Sequence, residues 1–345
     1  MIGHTITGSN GSSRILVGES LAQVEQYIGT RRLVIVTDDN LYAHHKDRFP
    51  NNDHVIVIGT GEGIKTLATV ESIYAKFHDW ELDRSAFVLG IGGGVVTDIT
   101  GFAASTYLRG LDFGFVSTTL LAQVDASVGG KNGVNFQGYK NMIGTFNQPK
   151  FVLIDFAMLN TLESRKLGCG FAEAIKHGAI ADIALFGYME THAGAIRQLD
   201  PAGIERIVND SIIIKSGIVN KDEKEKGERR KLNFGHTFGH AIEKTLGLPH
   251  GESISLGMVV AAQLSQELSG LPETDAQRLV DVLAGYNLPI TVDVDREQIM
   301  DAIRKDKKRY NDSIKFALLT RIGDCVIQDV KLNQLETAIE SIFRK

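Results

Sequence analysis

Two histidines, His236 and His240, lie four residues apart in a segment that is predicted to be helical. At this spacing both side chains emerge on one helical face, where such pairs often bind zinc. A third ligand such as His250 or Glu173 would complete a set of three nitrogen or oxygen donors with an open position, as in catalytic zinc sites. The alternative is a helix with two incidental histidines. The pattern is not that of a zinc protease, because no glutamate follows His236 directly.

Cationic residues gather near these candidate ligands. Lys176 lies three residues beyond Glu173 and therefore on the same helical face. Lys215 and Arg229 flank a charged segment that precedes Asn233. Together these groups could hold a phosphate and a carboxylate, although each lysine taken singly could be an ordinary surface residue.

A second candidate site begins with the three glycines at 92–94, which follow the apolar segment 86–91 and precede a predicted helix ending near Arg109. A glycine turn at a helix N-terminus can bind a phosphate or pyrophosphate group. The spacing is not the usual dinucleotide fingerprint, so a plain tight turn is the alternative.

The next forty residues strengthen the case for an anionic ligand. Polar side chains stand there among Gly129, Gly130, Gly138 and Gly144, and they are Thr118, Thr119, Asp125, Lys131, Lys140 and Asn141. Glycines let main-chain donors approach a ligand closely, and lysines supply positive charge. We interpret the region as a ligand-binding loop, with surface lysines as the alternative.

The segments that must position these groups differ between the two halves of the chain. Apolar runs that predict buried strands lie at 33–37, 54–58, 86–91, 113–117 and 151–155. Between two of them, Leu67, Val70, Ile73 and Phe77 recur at helical spacing. This alternation predicts a doubly wound parallel sheet in a first domain, residues 1–160.

The second half is predicted to be mostly helical, with long helical segments at 204–218, 235–246, 252–268 and 275–286. Residues 316–319 and 326–330 flank Gly323 and predict a short hairpin. The fold class is therefore α/β plus α, with a second domain at residues 161–345.

Composition limits the classes of function. The 345 residues carry a formal net charge of -5 and contain no basic run, which disfavours nucleic-acid binding. Cys169 and Cys325 are the only cysteines, so we expect neither a disulfide framework nor a thiolate zinc site, in agreement with a reducing cytoplasm. We see neither a signal peptide nor an apolar run of the roughly 18 residues that would span a membrane.

Taken together, the motifs resemble the 3-dehydroquinate synthase family, and they follow one another in order along nearly the whole chain. They are GGGVVTD from Gly92, STTLLAQVDASVGGKNGVN from Ser117, GYKNMIGTFNQP from Gly138, GFAEAIKHG from Gly170, DEKEKGERRKLNFGHTFGHAIE from Asp222 and HGESISLGM from His250. Several independent motifs make this resemblance far more specific than a single glycine turn.

The resemblance implies a homodimer with an N-terminal Rossmann-like NAD-binding domain, a C-terminal α-helical metal-binding domain and an active site in the cleft. It implies that Glu173, His236 and His250 bind Zn²⁺ or Co²⁺. The residue matching His240 lies beside the substrate in that family, and we hypothesise that His240 acts there in binding or proton transfer rather than as a ligand.

Further positions carry over residue by residue. Substrate-contacting positions match Lys131, Asn141, Lys176, Lys215, Arg229 and Asn233. Arg109 is expected to reach the substrate phosphate from the partner subunit. The segment Asp306-Lys307-Lys308 matches a phosphate-binding motif, in which we favour Lys307 without excluding Lys308. Cofactor positions match Asp38, Asn40, Glu62, Lys65, Gly93, Gly94, Asp98, Thr118, Thr119, Asp125, Lys140, Thr161 and Leu162.

The implied reaction converts 3-deoxy-D-arabino-heptulosonate 7-phosphate to 3-dehydroquinate and phosphate, in the shikimate pathway of aromatic amino acid biosynthesis. NAD would oxidise the C5 hydroxyl transiently, phosphate would leave, and ring opening with an intramolecular aldol step would close the carbocycle. The leaving phosphate could act as its own base, which agrees with the lack of an obvious carboxylate pair.

Two departures and three alternatives accompany this interpretation. The interval from His240 to His250 is shorter than in many relatives, as a shortened loop would explain, and His177 replaces a common tyrosine or threonine. The alternatives are another sugar phosphate cyclase, a polyol or iron-type alcohol dehydrogenase, and a catalytically inactive NAD- or metal-binding regulator. The regulator would require a lost ligand or lysine, whereas the matched polar positions are retained.

Overall fold

Apolar segments of the first half form the central strands of one sheet in the computed structural model, which describes residues 1–293, 296–307 and 313–335. The chain divides into two units, Met1–Leu162 and Glu163–Lys345. The strands of the first unit are β1 (Ile2–Gly8), β2 (Gly11–Val17), β3 (Leu33–Thr37), β4 (Val55–Val57), β5 (Phe87–Gly92), β6 (Asp112–Ser117), β7 (Lys131–Phe136), β8 (Tyr139–Phe146) and β9 (Phe151–Ile154).

Seven of these strands form one sheet in the order β1-β2-β9-β6-β5-β3-β4. Every neighbouring pair is parallel except β1 and β2, which form an antiparallel hairpin at one edge. The predicted parallel sheet is therefore confirmed, with this hairpin added. The sequence analysis missed both strands of this hairpin: most residues of β1 are exposed, and β2 has only a short apolar run at 15–17.

The helices of the first unit are α1 (Glu25–Ile28), α2 (Asp39–His45), α3 (Leu67–Asp79) and α4 (Gly94–Thr106). The helical spacing noted in α3 buries Val70, Ile73 and Phe77, and the Thr66 side chain caps the helix by accepting the backbone N–H of Thr69. Short 3-10 helices lie at Leu21–Gln23, Lys46–Arg48, Glu62–Ile64, Tyr107–Arg109 and Phe156–Thr161.

The region interpreted as a ligand-binding loop contains regular structure. A π-helical turn, Ala122–Ala126, is followed by the antiparallel hairpin of β7 and β8. Gly133 and Gly144 face each other in this hairpin, where an added Cβ on either would approach a backbone oxygen of the opposite strand to 2.5 or 2.4 Å. These glycines therefore permit close pairing of two strands. Because β8 is exposed over most of its length, its sequence lacks the alternation that predicts a strand.

The second unit is built mainly from helices, as predicted. They are α5 (Ser164–Ala181), α6 (Ile183–Arg197), α7 (Pro201–Lys221), α8 (His236–Leu246), α9 (His250–Leu268), α10 (Glu273–Gly285) and α11 (Arg296–Lys307). A 3-10 helix, Glu228–Asn233, precedes α8. The predicted hairpin is present as β10 (Ser313–Arg321) and β11 (Asp324–Lys331).

The core of the second unit joins its helices to this hairpin. Phe238, Ile242 and Leu264 of α8 and α9 pack with Phe316 and Val330 of the two strands. This packing buries one apolar face of α8 and leaves the polar side chains of the same helix to form a site. In the part of the chain that the structure describes, no helix is both long and apolar enough to cross a membrane.

Candidate active site

Three side chains of the second unit converge on one point. The Oε1 atom of Glu173 lies 3.5 Å from Nε2 of His236 and 3.3 Å from Nε2 of His250. Glu173 is fully buried in α5, whereas His236 and His250 are partly exposed at the first residues of α8 and α9. The structure therefore brings together the three residues predicted as metal ligands.

Close helix packing through glycines creates this convergence. An added Cβ on Gly251 would lie 2.2 Å from the Cα of Cys169, so only glycine lets the start of α9 approach α5 this closely. An added Cβ on Gly257 would lie 2.0 Å from the carbonyl oxygen of Gly235, at the contact between α9 and the start of α8. Because each ligand sits beside such a contact, the helix spacing determines the distances between the ligands.

The two histidine rings are also oriented through their other nitrogens. Nδ1 of His236 lies 3.2 Å from the carbonyl oxygen of Phe234. Nδ1 of His250 lies 3.4 Å from Oε2 of Glu243. Each acceptor favours a hydrogen on Nδ1, so that in the neutral ring the Nε2 lone pair is directed at the site, the arrangement usual for histidines that bind metals.

The two histidines differ in their proton affinity. Burial outweighs the attraction of Glu173 and lowers the pKa of His236 well below its usual range. Burial also disfavours charge on His250, but hydrogen bonds with Glu173 and Glu243 outweigh it and raise the pKa of His250 to about 9. At neutral pH without a metal, His250 is therefore a cationic imidazolium with both nitrogens protonated, whereas His236 is neutral.

The donor set fits a zinc or cobalt ion. Two ligands at about 2.0–2.1 Å from a tetrahedral ion lie roughly 3.4 Å apart, close to the separations between Glu173 and the two histidines. His240, Glu243 and His250 form a second possible cluster, but Glu243 also lies against the Nδ1 edge of His250 and His240 is exposed. The geometry of the described residues favours the first cluster.

Cationic groups adjoin the donors as the sequence predicts. Lys176 is buried and its ammonium group donates a hydrogen bond to Oε2 of Glu173, the carboxylate oxygen that does not face the histidines. This contact orients the carboxylate and balances its buried charge. Lys215 is buried in α7.

The charged segment at 221–231 is an ordered turn. Asp222 accepts hydrogen bonds from the backbone N–H groups of Lys226, Gly227 and Arg229. Partial burial would raise the pKa of Asp222, but these hydrogen bonds outweigh it and lower the pKa. The guanidinium group of the buried Arg229 donates to the carbonyl oxygen of Glu223 at 2.6 Å.

Asn233 and His240 complete the predicted set around α8. The amide of Asn233 donates to Oε1 of Glu225 at 2.5 Å. The ring of His240 lies 5.2 Å from that of His236 between centroids, one turn along α8. His240 is thus beside the donor cluster without belonging to the favoured three.

In the first unit, the glycine turn lies at the carboxyl edge of the sheet. Strand order reverses between β3 and β5, and in α/β sheets ligands bind in the crevice at such a reversal. Asp38 follows β3, and Gly93 follows β5 as the N-cap of α4. An added Cβ on Gly93 would lie 2.8 Å from Cγ2 of Thr119. The turn and the Thr119 segment are therefore packed against each other at the place where a nucleotide would bind.

A polar network connects five of the predicted positions. The buried Lys65 donates to Oδ2 of Asp98 and to Oδ1 of Asn141, both at 2.5 Å. Lys140 lies 3.9 Å from Oε1 of Glu62. Asn135 joins the two sets, because its side chain contacts both Glu62 and the backbone N–H of Asn141. Four residues predicted as cofactor contacts and one predicted as a substrate contact therefore form one group.

The remaining predicted positions of the first unit have local contacts. The Asp38 side chain caps α2 by accepting the N–H of Leu41, and the N–H of Thr118 donates to the carbonyl oxygen of Gly92. Thr161 lies 2.8 Å from Nε2 of His45. The other predicted positions lie in or next to elements already described: Asn40 in α2, Gly94 at the start of α4, Asp125 in the π-helical turn, Lys131 at the start of β7 and Leu162 directly after the 3-10 helix Phe156–Thr161.

The remaining predicted phosphate contacts are Arg109 and a lysine near the C-terminus. Arg109 is exposed after Leu108, and both residues have positive φ, at 67° and 49°. Lys308 and the side chain of Lys307 lie outside the described part of the chain. The choice between these lysines stays a prediction.

Sequence reasoning missed two residues of these groups. Glu243 follows His236 and His240 at the next position of the same helical face, so its spacing could have revealed it. Asn135 stands in one of the quoted motifs, yet no spacing rule indicates the contacts it makes with Glu62 and Asn141.

Solved structures share this arrangement of elements over nearly the whole chain. A 2-epi-5-epi-valiolone synthase from Streptomyces hygroscopicus subsp. jinggangensis, with NAD⁺ and Zn²⁺ bound, matches with a TM-score of 0.89 and 28% identity over 97% of this chain and 98% of its own. A 2-deoxy-scyllo-inosose synthase complexed with carbaglucose-6-phosphate, NAD⁺ and Co²⁺ matches at 0.87 and 24%, covering 99% of both chains. By fold and donor cluster, the chain is of the sugar phosphate cyclase class.

Sequence comparison identifies the family within this class. Family models described as 3-dehydroquinate synthase N-terminal and C-terminal match residues 55–169 and 170–309. The 3-dehydroquinate synthase of Thermoanaerobacter pseudethanolicus is 41% identical over 325 residues, covering 90% of this chain and 91% of the relative. This chain belongs to the 3-dehydroquinate synthase family.

Proposed function

We propose that this chain converts 3-deoxy-D-arabino-heptulosonate 7-phosphate to 3-dehydroquinate and phosphate. The observation that carries the proposal is the 41% identity to a 3-dehydroquinate synthase over nine tenths of both chains. The convergence of Glu173, His236 and His250 beside Lys176 supports it independently, since the reaction needs cationic groups around an anionic substrate.

The cofactors in this proposal are NAD and a zinc or cobalt ion. Bound NAD would supply reversible hydride transfer at C5 of the substrate, so that the reaction has no net redox change. A metal ion held by Glu173, His236 and His250 would polarise the C5 oxygen. The donor set and its spacing support this assignment, as does the NAD⁺ and Zn²⁺ content of the valiolone synthase.

The chain's own residues bind and orient the anionic substrate. We assign Lys131, Asn141, Lys176, Lys215, Arg229 and Asn233 to it, with His240 in binding or proton transfer. Arg229 is suited to hold a carboxylate or phosphate, because a guanidinium presents several donors in a rigid plane. Its bond to the Glu223 carbonyl oxygen fixes the position of this guanidinium group beside the ordered turn.

The cofactor would occupy the carboxyl edge of the first unit's sheet. Backbone groups around Gly93 and Gly94 at the start of α4 would face its pyrophosphate, since a helix N-terminus favours negative charge. Glu62, Lys65, Asp98 and Lys140 would contact it from the connected polar network. Further contacts are assigned to Asp38, Asn40, Thr118, Thr119, Asp125, Thr161 and Leu162.

The proposal includes a homodimer in the cytoplasm. Arg109 would reach the phosphate of the partner subunit's substrate, and its exposed position after a strained turn is compatible with that reach. Lys307 or Lys308 would add a further phosphate contact.

The test is phosphate release from 3-deoxy-D-arabino-heptulosonate 7-phosphate, measured with and without NAD and a chelator, with identification of the carbocyclic product. We expect release that depends on both NAD and metal, with 3-dehydroquinate as product. Absence of release by folded, metal-loaded protein would refute the proposal.

A second candidate is another cyclase reaction, favoured by the close fold match to the valiolone synthase. Sedoheptulose 7-phosphate and glucose 6-phosphate are therefore the substrates to test in parallel. A polyol dehydrogenase would instead accumulate NADH with an alcohol and release no phosphate, so NADH absorbance distinguishes the third possibility.

A further inference from the structure

The β7–β8 hairpin contains a bulge at Asn135. The flanking ladder pairs are Val134 with Ile143 and Phe136 with Tyr139. Asn135 therefore stands opposite the three residues 140–142, and the regular ladder is interrupted there. Within this bulge Asn141 has a φ of 51°, in the left-handed region that non-glycine residues seldom adopt and asparagine tolerates best.

Asn135 supplies contacts that stabilise this conformation. Its Oδ1 accepts the backbone N–H of Asn141 at 2.9 Å, in place of the missing ladder hydrogen bond. Its Nδ2 donates to Oε1 of Glu62 at 2.7 Å, and its backbone N–H donates to the carbonyl oxygen of Lys65 at 2.8 Å. One residue therefore joins the bulge to both ends of the turn that carries Glu62 and Lys65.

The bulge directs side chains that matter for the proposed reaction. Asn141 Oδ1 accepts from Lys65, which also pairs with Asp98. Lys140, the preceding residue of the bulge, lies 3.9 Å from the same Glu62 oxygen that Asn135 contacts. Bulges often re-aim side chains next to active sites. The contacts of Asn135 explain how this one keeps a single geometry.

We infer that Asn135 is a positioning residue, which fixes Asn141 for the substrate and Glu62 and Lys140 for the cofactor without contacting either ligand. The inference rests on the proposed function, which assigns those roles to the three residues. The Asn135 side chain has two distinct contacts: its carbonyl oxygen holds the backbone of Asn141, and its amide nitrogen holds the carboxylate of Glu62.

Two substitutions separate these actions. Asn135→Ala removes both side-chain contacts. We expect the substrate KM and the NAD Kd each to rise on the order of tenfold, because each ligand loses the equivalent of about one well-oriented hydrogen bond. Asn135→Asp keeps an acceptor for the Asn141 N–H but loses the donor and places a second carboxylate against Glu62. We expect it to restore the substrate KM to near the wild-type value while NAD binding stays weak.

A double-mutant cycle distinguishes positioning from general destabilisation. If Asn135 acts through Asn141, the double variant Asn135→Ala/Asn141→Ala has the same substrate KM as Asn141→Ala alone. The matched control is Asn10→Ala, because Asn10 also donates a side-chain hydrogen bond to β8, at the carbonyl oxygen of Phe146. We expect the control to leave KM and Kd unchanged.

The inference is overturned if the KM effects of the two alanine substitutions multiply, or if Asn10→Ala reproduces the effect of Asn135→Ala. It is also overturned if Asn135→Ala changes only the melting temperature. Wild-type turnover is measured first, so that failure of the proposed function is seen separately. Should wild-type protein bind NAD without turning over, a cycle of Asn135→Ala with Glu62→Gln on NAD affinity decides the inference.

Discussion

Nδ1 of His250 lies 3.4 Å from Oε2 of Glu243, at the ring edge opposite the nitrogen that faces Glu173. A carboxylate at each nitrogen orients the imidazole from both sides, and Nε2 is the nitrogen that faces Glu173 and the proposed metal position. Under the proposed ligand assignment, Glu243 holds a ligand from outside the donor set, and predictions about metal binding follow from this contact.

Glu243→Gln should weaken metal binding by roughly 10–100-fold, the usual effect of losing such an outer contact. The amide keeps the shape of the side chain but loses its negative charge, which makes His250 a poorer ligand. Competition with a chromophoric chelator measures the affinity. The control is Glu190→Gln, since Glu190 pairs with Arg278 at 2.8 Å and touches none of the three donors. Equal metal affinity in Glu243→Gln and wild type would show that Glu243 has no such role.

Metal binding should release about one proton near neutral pH, because the pKa of His250 in the metal-free protein is raised to about 9. The ion must displace this proton at lower pH. The apparent affinity should therefore rise with pH, by up to tenfold for each pH unit, and level off above about pH 9.

Calorimetry in buffers of different ionisation enthalpy counts the released protons. Well above the pKa of His250, the same titration should show almost no release and serves as the internal control. A metal affinity that does not change between neutral pH and the pKa would contradict the assignment of His250 as a ligand.

His236→Ala should abolish stoichiometric metal, because it removes one of three donors and leaves Glu173 and His250 unable to complete the set. Elemental analysis of the purified protein measures the loss. His192→Ala is the matched control, since His192 of α6 contacts Thr191 and Tyr188 instead of the donors. Full metal retention by His236→Ala would make the ligand assignment wrong.

Gly93→Ala should weaken NAD binding while the protein stays folded. The new methyl group would approach Cγ2 of Thr119 to 2.8 Å and displace the segment that follows β6. Adding Thr119→Ser removes that carbon and should recover part of the affinity. Gly3→Ala is the control, since no atom lies within 4 Å of a Cβ added there. Unchanged NAD affinity in Gly93→Ala, measured by calorimetry, would exclude this turn from the cofactor site.

Lys215→Ala should lower turnover on the order of a hundredfold or more, as expected when a charged group that stabilises substrate and transition state is lost. NAD affinity should stay nearly intact, because the proposed partner of Lys215 is the substrate. Lys166→Ala, at an exposed lysine of α5, is the control. An equal loss of NAD affinity in Lys215→Ala would show that the proposed role of this lysine is wrong.

The sequence predicted the elements whose burial produces either a continuous apolar run or an apolar periodicity. The runs of β3, β5 and β6 are confirmed, because a strand buried on both faces is apolar along its whole length. The apolar face of α3 is also confirmed, because a helix buried on one side repeats its apolar residues at helical spacing. Two hairpins were missed: β1 and β8 are mostly exposed, β2 has only a short apolar run at 15–17, and the buried part of β7 is limited to residues 132–134.

The site shows the same division. The spacing of His236 and His240 determined by itself that both would share a face of α8, and the order of the motifs indicated the family. Only the tertiary structure decided that Glu173 of α5 and His250 of α9 lie against His236, because Gly251 and Gly257 allow helices distant in sequence to approach within contact. Likewise, the hydrogen bond from Asn135 to Glu62 forms only because the β7–β8 hairpin packs against a turn that lies 73 residues earlier in the chain. Local periodicity records which face of an element is buried, whereas these contacts depend on how separate elements pack together, which no local pattern specifies.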